Sequence, residues 1–359
     1  MAVLFEGGAT WVFTDYRKEN PVVIQPDNMF GIDIEDISDD RIDDTLDKLS
    51  ETGASWIRVY AMWSFIEPNP PDVSYADGSW GNFTGRHAYN WDHLDKIVNG
   101  ARERGINVYL TNIWPPQWAN GRTSDTCNPF TGGDLSCGDV ILNSHWFTDF
   151  VYNEVSHFVG RVQYYGLWNE PNDRHSFNGP SDTVYLNVFM DTYAFGAKSA
   201  LLAADPSAKL VGPELSMGTG IPSERGAWDK SWLEPILKRW PDIFDVLSVH
   251  NHSNSHNDAK GKAEKVKDLM ARYGVYREFW MTEFGVDSCD VELGAQAYQL
   301  ERVYADTMNR NWWTKTFYYD FVDHDGKDCG AGLFTAFDRD FFPKPAFWAY
   351  QSVTGRLPK

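Results

Sequence analysis

Two glutamates that follow strand-like segments are the residues of this sequence best suited to do chemistry. Glu170 lies in an Asn-Glu-Pro motif, and Glu283 lies in a Thr-Glu-Phe-Gly motif much later in the chain. When two carboxyl groups face each other across a cleft, one can protonate a departing oxygen while the other attacks carbon. Cleavage of a glycosidic bond needs that arrangement, so the two motifs predict carbohydrate chemistry if the fold brings them together.

The fold that must position them is predicted by a regular alternation of segments. Apolar runs typical of strands cover residues 29–35, 55–60, 106–113, 163–168, 209–212, 246–250, 278–282 and 313–319. Amphipathic runs typical of helices follow them at 41–52, 90–105, 144–159, 181–204, 231–239, 260–272, 293–309 and 345–353. Eight such units predict an α/β fold, a single-domain (β/α)8 TIM barrel over residues 29–359. Residues 1–28 are expected to form an N-terminal extension that packs on the barrel.

A doubly wound open sheet is the alternative fold. It usually carries a Gly-rich turn after the first strand, where this sequence has Asp-Ile-Glu-Asp. In a barrel, the chemistry lies at the carboxyl ends of the strands. The polar residues at those predicted ends are Arg58, Asn112, Asn169, Glu170, Glu214, His250, His252, Glu283 and Tyr319.

The net charge and the aromatic residues indicate which classes of molecule this protein can bind. The chain has 32 Lys and Arg against 51 Asp and Glu, a net charge of −19, which excludes a nucleic-acid binder with a basic face and disfavours anionic lipid. No apolar run reaches the ~18 residues that a membrane-spanning helix needs, and the first residues do not resemble a signal peptide. Sugars stack on aromatic rings, so three tryptophans after strands two and three are candidate binding residues: Trp63, Trp114 and Trp118.

The four cysteines, Cys127, Cys137, Cys289 and Cys329, contain no C-x-x-C pair and therefore give no support to a zinc ribbon. A sparse, even set predicts two disulfides and hence a secreted or periplasmic protein. Cys289 and Cys329 follow strands that are neighbours in a closed barrel, so we expect them to pair. Cys127 and Cys137 then close a local loop.

Several short motifs occur in an order that resembles the clan-A retaining glycoside hydrolases, in particular families 39 and 5. Besides the two glutamate motifs they are Gly-Ala-Ser-Trp-Ile-Arg-Val from Gly53, Trp-Ser-Phe-Ile-Glu-Pro from Trp63, Pro-Gln-Trp-Ala from Pro116, and Lys-Pro-Ala from Lys344. The resemblance implies that Glu170 is the general acid/base and Glu283 the nucleophile. It also implies that Asn169 binds the sugar 2-hydroxyl and that Arg58 keeps Glu283 ionised.

The other predicted substrate-binding residues are Trp63, Asn112, Trp114, Trp118, Asn172, His250, His252 and Tyr319. His252 stands where the clan often has a tyrosine that bonds the nucleophile. His250 and His252 share one face of their strand, so a metal-dependent hydrolase that uses this pair is an alternative, as is a barrel that binds carbohydrate without turnover. The favoured hypothesis is a monomeric, cofactor-free enzyme that cuts within chains of a β-linked polysaccharide or oligosaccharide.

Overall fold

The computed structural model describes residues 28–35, 37–70, 87–120, 140–173, 176–177, 185–218 and 227–355. The predicted N-terminal extension lies outside the described residues except for Asn28, and Cys127 and Cys137 lie outside them as well. Within these ranges, every helix is too short or too polar to cross a membrane.

The described part of the chain contains eight parallel strands that close into a barrel in sequence order, with β8 pairing to β1. This confirms the predicted (β/α)8 fold. The strands are β1 (Phe30–Ile34), β2 (Trp56–Met62), β3 (Asn107–Ile113), β4 (Tyr164–Leu167), β5 (Lys209–Ser216), β6 (Val246–Asn251), β7 (Glu278–Phe284) and β8 (Trp313–Tyr318).

A helix follows each strand and covers the outside of the barrel. The helices are α1 (Ile42–Thr52), α2 (Asp92–Glu103), α3 (Ser144–His157), α4 (Phe195–Ala204), α5 (Glu234–Arg239), α6 (His256–Tyr273), α7 (Leu293–Met308) and α8 (Pro345–Val353). In α1 the spacing of Ile42, Leu46 and Leu49 places all three on the buried face. The helix ends at Gly53, whose φ of 82° is the left-handed conformation that glycine adopts without steric cost.

The interior of the barrel is filled in two layers of different character. The layer nearer the amino ends of the strands is mostly aromatic and comprises Trp56, Tyr109, Val211, Val246, Trp280 and Phe317. Toward the carboxyl ends, the inward positions that follow along the same strands are polar, among them Arg58, Thr111 and Ser248. Alternation along a strand therefore places the polar side chains above an apolar floor that excludes water.

Bulges in β5 and β7 alter this alternation just below the barrel mouth. Between β5 and β6 the register shifts between Gly212 and Leu215, and between β6 and β7 the partner of His250 is Glu283 instead of Thr282. Each shift inserts one extra residue, as a β-bulge does, and a bulge re-aims the side chains that follow it. The prediction ended the fifth strand at Gly212, but the bulge accommodates Pro213 and the strand continues to Ser216.

The loops after β7 and β8 are joined by the predicted disulfide. Cys289 and Cys329 are bonded with a sulfur–sulfur distance of 2.02 Å. Beside the bond, the Ser288 backbone N–H donates to the Gly330 carbonyl at 3.0 Å, and the Gly330 N–H donates to Ser288 Oγ at 3.1 Å. These contacts fix two loops at the mouth of the barrel to each other.

We expect the double variant Cys289→Ser/Cys329→Ser to fold but to melt several degrees below the wild type. Closing a loop between cysteines 40 residues apart restricts the unfolded chain, and its loss costs up to about 4 kcal/mol of the free energy of unfolding. Differential scanning calorimetry measures the shift, and peptide mapping without reductant should show Cys289–Cys329 together with Cys127–Cys137. Four free thiols, or a crossed pairing, would contradict both the disulfide pattern and the argument for export.

Candidate active site

Arg58 occupies the centre of the polar layer and connects the strands around it. Its side chain is fully buried, and its guanidinium donates to residues of five other strands or strand ends. These partners are Asp33, Thr111 at 3.1 Å, Asn169 at 3.0 Å, Glu214 at 2.5 Å and Glu283 at 2.6 Å. A buried cation is stable only when anions and acceptors surround it, and here the guanidinium also determines where each partner lies.

Glu283 is surrounded by cationic groups at the carboxyl end of β7. Its Oε1 accepts from Arg58 at 2.6 Å and lies 3.3 Å from Nδ1 of His250, and its Oε2 lies 2.7 Å from Nε2 of His252. Burial alone would raise the pKa of Glu283, but His250, Arg58 and His252 hold it well below its ordinary value. Glu283 is therefore ionised over the whole physiological pH range.

Glu170 follows β4, and its side chain extends toward Glu283 and His250. Its backbone is left-handed, with a φ of 48°, and its N–H donates to the carbonyl of Glu214 at 3.1 Å. Its side chain is 16% exposed against 4% for Glu283, and its Oε1 lies 3.3 Å from Nδ1 of His250. Carboxyl oxygens of Glu170 and Glu283 lie within 4.8 Å of each other. The barrel thus brings the two predicted glutamates together.

His250 lies between three carboxyl groups and is fully buried. Its Nδ1 faces Glu170 and Glu283, each at 3.3 Å, and its Nε2 faces Glu214 at 3.2 Å. Burial opposes a charged imidazole, but Glu283, Glu170 and Glu214 raise the pKa of His250 to about 10. At neutral pH His250 is therefore an imidazolium that donates from both nitrogens.

His252 and Tyr319 line the more open side of the site. His252 is 39% exposed, contacts Glu283, and lies edge-on to the Tyr319 ring at a centroid distance of 5.0 Å. The Tyr319 hydroxyl is 3.4 Å from Nε2 of His324. His252 thus makes the contact with Glu283 that the resemblance assigns to a tyrosine at this position.

Asn169 and Trp114 also lie at the site. Arg58 and the hydroxyl of Tyr60 both donate to Oδ1 of Asn169, at 3.0 and 3.3 Å, so its NH2 group is the part that can bind a ligand. The Trp114 ring lies 6.0 Å from the Tyr60 ring and lines a cavity of about 660 Å³ between the segments that follow β1 and β8. The lining of this cavity does not include Glu170 or Glu283, so the cavity lies beside the two glutamates.

Trp63 is buried away from the mouth, which corrects the expectation that it stacks on a sugar, and the half-buried Trp118 packs against it. Trp63 is 1% exposed; its indole donates to Glu67 and its ring packs on Phe147 and Phe150 beside α3. Trp118 packs edge-on to Trp63 at 5.6 Å and donates to the Glu67 carbonyl. Both rings fill the space between loops and helices, because their loops fold back onto α3.

Two predicted asparagines are buried away from the ligand side. Asn112 is 1% exposed and lies on the outward face of β3, toward Glu154 of α3, while Tyr109 and Thr111 point inward. Its expected role in substrate binding is therefore wrong. Asn172 is 3% exposed and makes two bonds of 2.8 Å with the backbone of Ser216, so it fixes the loop after Glu170 to β5.

A metal at this site would have to bind through Glu170, His250, His252 and Glu283, whose ligand atoms lie within 4.8 Å of one another. Both nitrogens of His250 already face carboxyl groups, with Nδ1 facing Glu170 and Glu283 and Nε2 facing Glu214. The donor set therefore suits charge stabilisation better than a resident metal.

Sequence reasoning missed several members of the site. Glu214 was recognised only as a polar strand end, and Asp33 and Tyr60 were not assigned to the site. Alternation along β2 places Tyr60 on the same face as Arg58, and the register pairs Asp33 with Arg58. These two could have been found from period-two patterning, whereas Glu214 faces inward only because of the bulge in β5.

Comparison with known proteins agrees with this fold. Residues 193–338 match the family model described as a glycosyl hydrolase catalytic core. A family 39 glycoside hydrolase from Bacteroides cellulosilyticus has 18% sequence identity and a TM-score of 0.62 over 94% of this chain and 64% of its own. A GH39 β-xylosidase from Caulobacter crescentus has 17% identity and a TM-score of 0.66, over 94% and 72% of the two chains.

Xylanase 10B from Thermotoga maritima has 17% identity and a TM-score of 0.60, over 92% of this chain and 95% of its own. No curated protein sequence matches the chain closely enough to count as a relative. The fold of these glycoside hydrolases is therefore shared by this chain, and the family model agrees with the resemblance over residues 193–338. This chain spans 64% of the length of the family 39 enzyme, so the likeness concerns the barrel.

In this barrel, we expect Glu283→Gln to lower the pKa of His252. Partial desolvation opposes the imidazolium of His252, but the hydrogen bond to Glu283 and its charge raise the pKa of His252 above its ordinary value. Neutralising Glu283 removes that support, so the imidazole should release its proton at lower pH. NMR titration of 15N-labelled histidine measures the midpoint, with His252→Gln to assign the signal.

Glu278→Gln is the matched control, because Glu278 lies exposed at the opposite end of the same strand. It should leave the His252 midpoint unchanged. An unchanged midpoint in Glu283→Gln would mean that the contact between Glu283 and His252 does not form in solution.

Proposed function

We propose that this glycoside hydrolase cleaves β-glycosidic bonds with retention of configuration, with Glu283 as nucleophile and Glu170 as general acid/base. The observation that carries the proposal is that oxygens of the two carboxyl groups lie within 4.8 Å of each other. Retaining enzymes hold the pair about 5–5.5 Å apart, whereas inverting enzymes need about 6.5–9.5 Å to admit a water molecule.

The surroundings of the two glutamates support this assignment of roles. Glu283 is ionised and its position is fixed by Arg58, His250 and His252, as a nucleophile requires. The Glu170 side chain is the more exposed of the two and contacts His250, so it can exchange protons with a leaving group and then with water. The NH2 group of Asn169 lies beside them and suits the sugar 2-hydroxyl.

The two displacements can be written with these groups alone. In the first, Glu283 bonds to the anomeric carbon, the bond to the leaving oxygen breaks, and Glu170 gives that oxygen its proton. In the second, water attacks the same carbon, the ester to Glu283 breaks, and Glu170 takes a proton from the water. Each attack inverts the carbon, so two attacks restore its configuration.

The substrate that we propose is a β-linked polysaccharide or oligosaccharide. The names of two structural neighbours, a β-xylosidase and a xylanase, make β-xylosides the first candidates. Cleavage within chains stays a prediction, and of its three supporting tryptophans only Trp114 lines the cavity. Action as a monomer stays a prediction as well. We also propose secretion or a periplasmic location, because a structural disulfide is typical of oxidising compartments.

The metal-dependent alternative differs in one observable. Activity that survives prolonged dialysis against a chelator supports the double displacement, and activity lost to chelator and restored by zinc supports the metal. A barrel that binds carbohydrate without turnover would show binding but no product.

Substitution of the two glutamates should give different kinetic defects. We expect Glu283→Ala to lower kcat by at least about 10⁴-fold on every substrate, because no covalent intermediate can form. Glu170→Ala should lose about 10²–10⁴-fold on natural glycosides but still form the intermediate from an aryl glycoside whose leaving group needs no proton. Steady-state and burst kinetics measure both effects.

Azide should then rescue Glu170→Ala and yield a glycosyl azide with the anomeric configuration of the substrate, which proton NMR identifies. Rescue that gives the opposite anomer would reverse the two roles. A Glu283→Ala enzyme with wild-type turnover would refute the double displacement altogether.

The prediction of cleavage within chains has its own test on a panel of β-linked polysaccharides. Early products should span several lengths by chromatography while viscosity falls. Trp114→Ala should raise KM on oligosaccharides about 3–10-fold, the effect of losing one aromatic stacking contact, with little change on an aryl monoglycoside. Trp348→Ala, at a half-exposed tryptophan on α8, is the matched control. Monosaccharide as the sole early product, with viscosity unchanged, would contradict cleavage within chains.

A further inference from the structure

Glu214 is a third carboxyl group beneath the two that the proposed mechanism uses. It is fully buried, so it cannot touch substrate. Its Oε2 accepts from Arg58 at 2.5 Å and lies 3.2 Å from Nε2 of His250. Its Oε1 accepts from the hydroxyl of Tyr109 and, at 3.4 Å, from Thr111. One oxygen is thus shared by the two cations of the site, while the other is anchored to β3.

The two cations that Glu214 holds are the ones that contact the proposed catalytic groups. Arg58 reaches Glu283 at 2.6 Å and Asn169 at 3.0 Å, and His250 reaches Glu170 and Glu283 at 3.3 Å each. Glu214 is therefore linked to each of these contacts through a single intervening side chain, either Arg58 or His250. A change in its position or charge would reach the nucleophile, the acid/base and the sugar-binding amide together.

The backbone of Glu214 adds another connection to the site. Its carbonyl accepts from the N–H of Glu170 at 3.1 Å, and its N–H donates to Oγ of Ser248 at 3.0 Å. Its φ is 51°, an uncommon conformation for a residue with a side chain. Gly166 on β4 makes room for the carboxylate and for the Tyr109 hydroxyl bonded to it, because a Cβ at that position would overlap both groups and lie 2.7 Å from Thr111 Oγ1.

We propose that Glu214 is a positioning residue for the double displacement: it fixes Nε2 of His250 and one side of Arg58, so that the Nδ1–H of His250 is shared between Glu170 and Glu283. The inference rests on the proposed function. In the first displacement, negative charge leaves Glu283 as its ester forms and appears on Glu170 as its proton leaves. Because Nδ1 is 3.3 Å from both carboxyl groups, the imidazolium can stabilise the charge in either place without moving.

The charged and titratable groups that face His250 are Glu214 of β5, Glu170 after β4, Glu283 of β7, Arg58 of β2 and His252 beyond β6. The carboxyl groups and the two other cations act in opposite directions on the imidazolium. Removing the charge of Glu214 leaves both cations and takes away the anion nearest to Nε2. His250 should then lose its proton at lower pH, and both half-reactions should lose a fixed donor.

The test compares Glu214→Gln with the wild type, and Glu154→Gln is the matched control. Glu154 is another fully buried glutamate, but it lies on α3 outside the barrel. In Glu214→Gln we expect the NMR titration midpoint of His250 to lie at least about one pH unit below the midpoint measured in the wild type. We expect formation and hydrolysis of the glycosyl intermediate each to slow about 10–100-fold, with KM changed less than about 3-fold. Glu154→Gln should leave the His250 midpoint and kcat unchanged.

Two further variants keep the result interpretable if Glu214→Gln folds poorly. Glu214→Asp retains the charge and should restore the His250 midpoint while recovering only part of kcat. Gly166→Ala displaces the carboxylate without removing it and should slow both half-reactions with the charge intact.

A Glu214→Gln enzyme with the wild-type His250 midpoint and wild-type rates would overturn the proposal. So would a fall in melting temperature with the midpoint and the relative rates of the half-reactions intact, since that is a purely structural role. If the wild type cleaves no glycoside, the proposed function fails, and the NMR titration still shows whether Glu214 sets the state of His250.

Discussion

The burial of the Arg58 guanidinium is the interaction on which the rest of the site depends. Transferring a cation from water into a protein interior is strongly unfavourable unless anions and hydrogen-bond acceptors replace the water. The barrel supplies them from several strands at once, including Asp33, Glu214 and Glu283. Because each strand contributes one partner, the requirement to satisfy one cation fixes the relative positions of β1, β2, β5 and β7 at the mouth.

The floor of the barrel makes these charges effective. Trp56, Tyr109, Trp280 and Phe317 exclude water from below, so the cations above them act through a medium of low polarity. Burial raises the pKa of Asp33 to about 8, although Arg58 opposes that shift. The positive charges of Arg58 and His250 face Glu214 and Glu283 at close range. The charged groups of the site are therefore fixed in position before any ligand binds.

The architecture was well predicted from the sequence because the barrel depends on the periodic spacing of apolar residues. The site was predicted less completely because it depends on departures from that spacing, such as a β-bulge and the paths of loops. Strands alternating with helices, and glutamates after β4 and β7, follow from apolar spacing and motif position. Alternation along β3 also explains why Asn112 points toward the helices, since it follows the inward-facing Thr111. The role of Glu214 required knowledge of a bulge, which no pattern of apolar residues encodes. The packing of Trp63 and Trp118 depends on how two loops fold over α3, and a loop sequence does not specify that path.

The backbone around the site shows where the fold tolerates strain. Among the described residues, six non-glycine residues have positive φ, and four of them lie at the carboxyl ends of β3, β4 and β5: Trp114, Trp168, Glu170 and Glu214. Such conformations cost about 1–3 kcal/mol each and persist only where the surroundings impose them. Here the constraints are bonds between neighbouring strand ends, such as Trp168 N–H to the Asn112 carbonyl at 2.9 Å and Glu170 N–H to the Glu214 carbonyl at 3.1 Å. A regular strand would send successive side chains to opposite faces, whereas this backbone turns Glu170 and Glu214 toward the same imidazole. The strained backbone therefore lies where two carboxyl groups converge on His250. The hydrogen bonds between neighbouring strand ends stabilise these uncommon conformations.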